Sequence, residues 1–403
     1  MLEISELSIK ILSVAEFENS NLLLDDIVDG NIQHGTSYLQ MLSSNLNNDF
    51  MGYYAIAVNH DKVIAWTFFF IDKHFSFHGV LFGFFEKLYN VFPIRFSTAF
   101  VSSPIAEYNT FHINSEYASF ENIIVDRIIN DILKFSKEEK LGLIILKDHI
   151  KPYNSDFIEN KFKHFHFMPG TIVNFECNCG CDHCREDKCE NGCSCFDTYL
   201  AGLKKKWRSN IRNKMNHRDS GLIIEIVPAS SLSESQNARC YELYRQTIEK
   251  QRLKHEYISE TYLGACADTL CETCKMLIAK NKNDNIIGFA QLLEDTESVI
   301  NVRMGMDYTC AKEYQLYYHL LYENIKYCLR RKKKRLYTSQ TCYRPKLEVG
   351  AQLLPLHSYI RFFNPLLQKI FGKIFVDNCQ CYSELLATDN PTEVLAKYNL
   401  STY

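Results

Sequence analysis

The chain has 403 residues, 46% of them apolar and 13% aromatic, more than a single hydrophobic core usually serves and enough for two packed domains. With 45 Lys+Arg against 48 Asp+Glu the net charge is −3, so no global basic field marks a nucleic-acid binder and any phosphate recognition has to be local. Glu3 and Glu6 stand where a secretory signal needs positive charge, and no stretch reaches about 18 uninterrupted apolar residues, which predicts a cytoplasmic chain without a transmembrane segment.

Residues 53–70 form two β-type runs around the polar turn Asn59-His60-Asp61-Lys62, a hairpin signature. An aromatic tract follows, with Phe75, Phe77, Phe82, Phe84, Phe85, Tyr89, Phe92, Phe96 and Phe100. Over 121–138, Val125, Ile128, Ile129, Ile132 and Phe135 recur with the spacing of an amphipathic helix, and the strand-like run Leu141–Leu146 comes next. The pattern then returns. Residues 275–294 again place two β-type runs around a polar turn, Ile286-Ile287-Gly288-Phe289 standing where Val63-Ile64-Ala65-Trp66 stood. Residues 311–330 put Tyr314, Tyr317, Tyr318, Leu321, Ile325 and Cys328 on one helical face, and a charged turn at 330–335 leads into Leu336-Tyr337-Thr338. Hairpin, helix and strand in one order, twice, point to an internal duplication with an offset of roughly two hundred residues.

Between the two copies lies the most specific chemical signal. Of 16 cysteines, seven fall within one short stretch: Cys177, Cys179, Cys181, Cys184, Cys189, Cys193 and Cys195, with His183 as an eighth ligand. Reduced cytosolic thiols at this density predict structural zinc, with an iron–sulfur cluster or soft-metal buffering behind it and a disordered or disulfide-bonded insert as the metal-free alternative. Seven thiolates leave little room for an open, catalytic coordination position. Beyond this stretch, Asp197 reads as the N-cap of a helix over 198–216 with Leu203, Trp207, Ile211 and Met215 on its apolar face. Its other faces carry Lys204, Lys205, Lys206, Arg208, Arg212 and Lys214.

Three stretches, FDTYLAGLKKKWRSNIRNK (196–214), 304–337 and TCYRPKLEVGAQLLPLHSYI (341–360), resemble the FemAB-like members of the acetyltransferase (GNAT) superfamily. The first is similar to their basic helix behind a Y-L-x-x-L motif, the last to their Y-x-x-K-x-x-x-G passage. The resemblance implies an α+β fold of two GNAT-like lobes, each a mixed, mostly antiparallel sheet flanked by helices. The expected division is a lobe over 1–175, a Cys-rich metal-binding insert over 176–195 and a FemAB-like lobe over 196–403. It further implies acyl or aminoacyl transfer to an amine by direct attack, near the central cleft of the second lobe. One departure bears on the donor. Acetyl-CoA users of the superfamily carry a glycine-rich pyrophosphate loop, whereas here the matching place reads Asp307-Tyr308-Thr309-Cys310-Ala311-Lys312-Glu313 with no glycine. Acyl-CoA, acyl carrier protein and aminoacyl-tRNA all remain candidate donors.

The candidate catalytic groups are Asp307, expected at a strand end where a cleft opens, and His357, whose imidazole titrates near neutrality. Arg303, Tyr343, Arg344 and Lys346 are candidate substrate-binding residues, the last two able to neutralise a phosphate or carboxylate. Lys205, Arg208 and Arg212 form a second candidate set for phosphates of CoA, a carrier arm or RNA. Each has a plainer reading: a solvated ion pair, a surface charge beside Pro345, a packed histidine. The run Arg330 to Arg335 reads as helix-end stabilisation. The aromatic tract at 75–100 and a second at 359–375, with Phe362, Leu366, Ile370 and Phe375 beside Lys369 and Lys373, read as core, with acyl-chain binding or peripheral membrane contact as the other use. The sequence thus predicts an N-acyl or N-aminoacyl transferase, against a non-catalytic ligand- or RNA-binding protein with a structural zinc cluster.

Overall fold

The computed structural model describes residues 6–27, 31–46, 50–81, 83–91, 93–103, 108–175, 193–216, 221–251 and 258–387. In chain order the elements are β1 (Ser8–Ser13), α1 (Val14–Glu18), α2 (Thr36–Asn45), β2 (Phe50–Asn59), β3 (Lys62–Ser76), α3 (Gly83–Val91), β4 (Arg95–Val101), β5 (His112–Ile113), α4 (Glu121–Glu138), β6 (Leu143–His149), α5 (Asp156–Lys161), β7 (Lys163–His166) and β8 (Gly170–Asn174). There follow α6 (Cys193–Ala201), α7 (Lys205–Asn216), β9 (Ile223–Pro228), α8 (Glu234–Lys250), α9 (Tyr262–Leu270), β10 (Cys274–Lys280), β11 (Ile286–Glu294), β12 (Ser298–Met306), α10 (Leu316–Arg330), β13 (Arg335–Tyr337), α11 (Tyr343–Glu348), β14 (Gln352–Leu354), β15 (His357–Phe362) and α12 (Pro365–Ala387).

The hairpin signatures become β2–β3 and β10–β11. His60 and Asp61 turn the first with φ of 48° and 61°, the left-handed pair a two-residue hairpin requires. In the second, Asn281 closes the turn by accepting from the amides of Asn283 and Asn285. The stripe on α4 is buried as its spacing predicts: Val125, Ile128, Ile129 and Ile132 are all 0–1% exposed. Each contributes about 1.5–3 kcal/mol of burial.

Two sheets result, in the orders β1-β2-β3-β4-β6-β15-β7 and β14-β8-β13-β12-β11-β10-β9. Reading the second backwards aligns them strand for strand: a four-stranded antiparallel meander, a helical crossover into one parallel neighbour, then two more antiparallel strands. The parallel pairs are β4–β6 and β12–β13, each joined through a helix, α4 or α10, because a parallel connection must return to the starting end of the sheet. This is the mixed, mostly antiparallel architecture expected for both lobes, and the same order of pairing twice is what a duplication would leave.

The sixth strand of each sheet departs from chain order. β15 completes the first sheet from the end of the chain, and β8, which precedes the cysteine stretch, completes the second. Contacts accordingly divide the chain into unit 1 (Met1–Pro169, Arg252–Ser259, Pro355–Tyr403) and unit 2 (Gly170–Gln251, Glu260–Leu354). This differs from the chain-order division at 175 and 196: residues 170–174 sit in unit 2, and everything after Leu354 sits in unit 1. No periodicity reports such an exchange, since a strand pairs by register and not by sequence position.

Two further boundaries differ from expectation. The helix expected over 198–216 is two helices, α6 and α7, broken where the amides of Gly202 and Leu203 turn back onto Tyr199 and Leu200 and Arg208 Nη1 donates to the Ala201 carbonyl at 2.7 Å. The helix expected from 311 begins at Leu316, because Gln315 is left-handed at φ 46°. Both aromatic tracts supply core: Phe75, Phe77, Phe96, Phe100, Phe362 and Phe375 share one apolar cluster in unit 1. Leu366 and Ile370 of α12 stay exposed, and among the described residues no helix is long and apolar enough to cross a membrane.

Candidate functional site

In unit 2 the parallel pair β12–β13 is short. It spans only Ser298–Ile300 against Arg335–Tyr337, after which β13 ends and β12 runs on to Met306. A bulge marks the divergence: Gln291 opposes Arg303 while Leu292 opposes Asn301, so Val302 is the extra residue. A crevice at the carboxyl ends of diverging parallel strands is where open α/β sheets hold ligands.

Arg303 therefore lies inside β12 and not beyond its end. Its guanidinium is buried, 7% exposed, and Nη1 donates to the Val302 carbonyl at 2.6 Å. β13 is followed by 338–342, where Ser339, Thr341 and Cys342 have φ of 60°, 66° and 48°. Left-handed backbone costs non-glycine residues of order 1 kcal/mol each and persists where surrounding contacts over-determine it. Those contacts are present. Ser339 Oγ donates to the Asn301 carbonyl at 2.7 Å, Thr171 and Thr338 share a 2.7 Å hydroxyl bond, and Lys346 Nζ donates to the carbonyls of Ser339 and Gln340, both at 2.9 Å.

Lys346, 4% exposed, thus holds the loop, and its neighbour Tyr343 is buried as well. Arg344 has a side chain 77% exposed, 3.9 Å from Glu348. Gly350, the end of the Y-x-x-K-x-x-x-G passage, is left-handed at φ 85°, and a Cβ there would meet Leu203 at 2.8 Å. Tyr199 donates its hydroxyl to the Val349 carbonyl, so the two motifs that carry the family resemblance pack on each other.

Asp307 follows β12 and pairs with Arg239 of α8 at 2.8 Å, not with Arg303. Its other oxygen accepts from the amide and hydroxyl of Thr309 at 3.1 and 2.6 Å. Burial pushes this carboxyl up, but the bonds from Thr309 and Arg239 outweigh it and hold it below the usual range. A carboxylate so saturated positions the 307–315 turn; it is a poor proton acceptor at neutral pH. That turn uses its own amides: Cys310 and Ala311 donate to the Asp307 carbonyl, Tyr314 to Cys310, Gln315 to Lys312 and Leu316 to Ala311. These donors are spent within the turn, at the place where a glycine-rich loop would present amides to a pyrophosphate.

Sequence reasoning missed what crowds around Cys342. Burial and then the Cys342 thiol push the Tyr317 phenol up, and the Tyr308 phenol is raised by burial and, more weakly, by the same thiol. Lys250 Nζ sits 4.1 Å over the Tyr308 ring. Tyr308, Tyr317, Cys342 and Lys250 come from four separate segments, so no spacing announces them. Of the basic set, Lys205 and Arg212 are exposed, Arg212 lies 3.7 Å from Asp197, and Arg208 caps α6.

His357 belongs to unit 1, on β15, whereas Asp307, Arg303, Tyr343, Arg344 and Lys346 belong to unit 2. Unit 1 has its own polar cluster at the corresponding end of β4. Ser102, left-handed at φ 116°, lies 3.3 Å from His149 Nε2, and His149 Nδ1 lies 2.8 Å from the Tyr153 hydroxyl. His112 packs between Trp66 and His34, with ring centroids 4.4 and 5.1 Å away. Burial depresses all three imidazoles, His34 to about 4, His112 to about 2 and His149 to about 3, so they stay neutral. Among the described residues both ring nitrogens of His34 and the Ser103 hydroxyl lack a hydrogen-bond partner.

Of the expected metal ligands, Cys177, Cys179, Cys181, His183, Cys184 and Cys189 lie outside the described residues. Cys193 and Cys195 fall in the backbone of α6, and their side chains are outside the description too.

The fold is that of a protein with two GNAT-like lobes, and comparison with known proteins narrows this. A family model, FemAB-like, described as peptidoglycan biosynthesis/recognition, matches residues 183–385. The chain belongs to the FemAB-like family. Among solved structures, FemX is similar at 10% identity and a TM-score of 0.51, covering 85% of this chain and 95% of that one. A tandem GNAT protein from the clavulanic acid biosynthesis pathway aligns at 8% identity, with a TM-score of 0.48 over 89% and 99% of the two chains. L-PGS from Bacillus licheniformis aligns at 9%, with a TM-score of 0.43 over 70% and 85%. No curated protein matches the sequence.

Proposed function

We propose that this protein transfers an acyl or aminoacyl group from an activated ester or thioester to an amine, by direct attack, in the unit 2 crevice. The observation that carries the reading is the divergence of β12 from β13 beyond Ile300, which places the buried Arg303 on the continuing part of β12, two residues beyond the Asn301 carbonyl that the left-handed loop holds, in a chain of the FemAB-like family. A fixed cation in a water-poor crevice stabilises a carboxylate or a developing oxyanion without reorganising, which is how an acyl-transfer transition state is favoured.

The spent amides of the 307–315 turn favour an aminoacyl ester over CoA, whose pyrophosphate would need such donors. Lys205 and Arg212, exposed on α7, would then meet RNA phosphates. The family description makes an amine of a peptidoglycan precursor the first acceptor to test. The same reading gives Cys177, Cys179, Cys181, His183, Cys184, Cys189, Cys193 and Cys195 to structural zinc.

The experiment incubates the protein with charged tRNA, acyl-CoA or acylated carrier protein, with and without such an amine, and follows product formation. Acceptor-dependent discharge of one donor class, lost in Arg303→Gln and kept in Cys342→Ser, is expected. Loss in Cys342→Ser with an acyl-enzyme trapped in the wild type would replace direct attack by a covalent route. No discharge from any donor, together with salt-sensitive retention of RNA, would leave the non-catalytic binding protein as the reading.

A further inference from the structure

His357 was singled out as a lone general base, but the fold gives it company. β7 presents His164 and His166 two residues apart, hence on one face of the strand, and β15 pairs with β7 so that His357 stands directly opposite His166. The three rings lie 4.8–5.3 Å apart centroid to centroid. One ring nitrogen from each residue falls within 4.8 Å of the others.

We propose that His164, His166 and His357 form a divalent transition-metal site in unit 1, of the kind that takes Zn2+, with three imidazole ligands and the fourth tetrahedral position left to water. The spacing fits the chemistry. Zinc–nitrogen bonds of about 2.0–2.1 Å in a tetrahedron set ligand nitrogens about 3.3 Å apart. His164 Nε2 and His357 Nδ1 are already 3.1 Å apart, joined by the one hydrogen that a bound ion would replace. On binding, that hydrogen moves to the far nitrogen of its own ring, so both imidazoles present lone pairs and no oxidant or other reactant is needed.

His166 is oriented for the third ligand. Its Nδ1 donates to the Leu356 carbonyl at 2.9 Å, which fixes the tautomer and leaves Nε2 with the lone pair. Such backbone orientation of a ligating histidine is the usual support for zinc. His164 and His166 are exposed and His357 half-buried, so an ion has access and the rings have room to close the remaining ångström or so by rotation. The ion would clip β7, the edge strand of its sheet, to β15, the strand that returns from the far end of the chain. It would thereby pin the edge strand to its neighbour and raise the stability of unit 1 by mass action.

Co2+ is the probe, because its spectrum separates this site from the cysteine stretch: thiolate ligands add a near-ultraviolet sulfur-to-cobalt charge-transfer band, and imidazoles do not. Full-length protein, stripped by chelator and titrated with Co2+, is expected to show visible d–d bands that grow beyond those accompanying the charge-transfer band. His166→Ala and, separately, His164→Gln should each lose one equivalent of Co2+ with the charge-transfer band unchanged. Both residues are exposed, and circular dichroism confirms the fold of each variant. A wild-type titration whose d–d and charge-transfer bands rise in strict proportion would overturn the site without any variant, as would unchanged stoichiometry in a folded variant.

Discussion

Glu294 at the end of β11 is the node that decides where β13 lies beside β12, and so the geometry of the crevice. Its carboxylate is 6% exposed and faces Lys333 Nζ at 2.8 Å, Arg331 Nε at 3.0 Å and the Tyr327 hydroxyl. Lys333, with a side chain only 8% exposed, also donates to the Asp295 carbonyl. Glu294→Ala strands a buried ammonium, and breaking a buried pair from one side costs about 3–5 kcal/mol. Lys333→Met is milder, about 1–2 kcal/mol, because Glu294 keeps Arg331 and Tyr327. Replacing both by Met recovers much of the loss, since an apolar pair of similar volume fills the space. Urea unfolding followed by circular dichroism measures all three. The pH dependence carries a sign. Burial raises the Glu294 carboxyl, but Lys333, Tyr327 and Arg331 together pull it below its ordinary 4.5. Its stabilisation is therefore complete above pH 4.5 and is lost as pH falls through the lower folded value. Glu294→Gln should flatten that acid limb. A cost for Glu294→Ala below about 1 kcal/mol, or a larger cost for Lys333→Met, would refute this account of the node.

Three other outcomes follow from the geometry. The unit 1 histidines His34, His112 and His149 are depressed by burial from 6.5, so unfolding takes up protons and stability should decline as pH drops from 6.5 toward 4; an acid titration of the melting temperature flat over that range would contradict their burial as neutral groups. Gly305→Ala places a Cβ 2.7 Å from the backbone of Leu243 and Tyr244 and 2.4 Å from the Phe289 ring, so it should cost about 1–3 kcal/mol and shift α8 against β12, readable by hydrogen exchange of the α8 amides. Asp307→Asn weakens the bond to Arg239 and loosens the 307–315 turn; it should raise the donor KM while leaving the pH profile of kcat in place, and a lost acid limb in that profile would restore Asp307 as the proton acceptor.

Much of the framework is local and so could be read from residue order. The stripe on α4, the two hairpins, the doubled order of elements and the charged run at 330–335 all rest on patterns within some twenty residues. That run is structural through acidic partners and not through the helix end expected of it: Arg331 and Lys333 hold Glu294, and Lys334 and Arg335 hold Glu297. The site was less legible. The Y-x-x-K-x-x-x-G passage is legible as ligand-binding residues; in the fold Lys346 ties a loop and Gly350 ends a helix, because the lysine donates to the carbonyls of Ser339 and Gln340. That Arg303 lies inside β12, just past a bulge, is decided by strand pairing and not by local pattern.

The sequence by itself determined the two α+β lobes, their internal order and the family, since apolar period, turn chemistry and motif are written in neighbouring residues. Only the tertiary structure decided that β8 and β15 change places between the sheets, that Asp307 answers to Arg239, and that His357 stands among His164 and His166. Strand pairing joins residues nearly two hundred positions apart through backbone bonds that any side chain can make, so chain order leaves no trace of them.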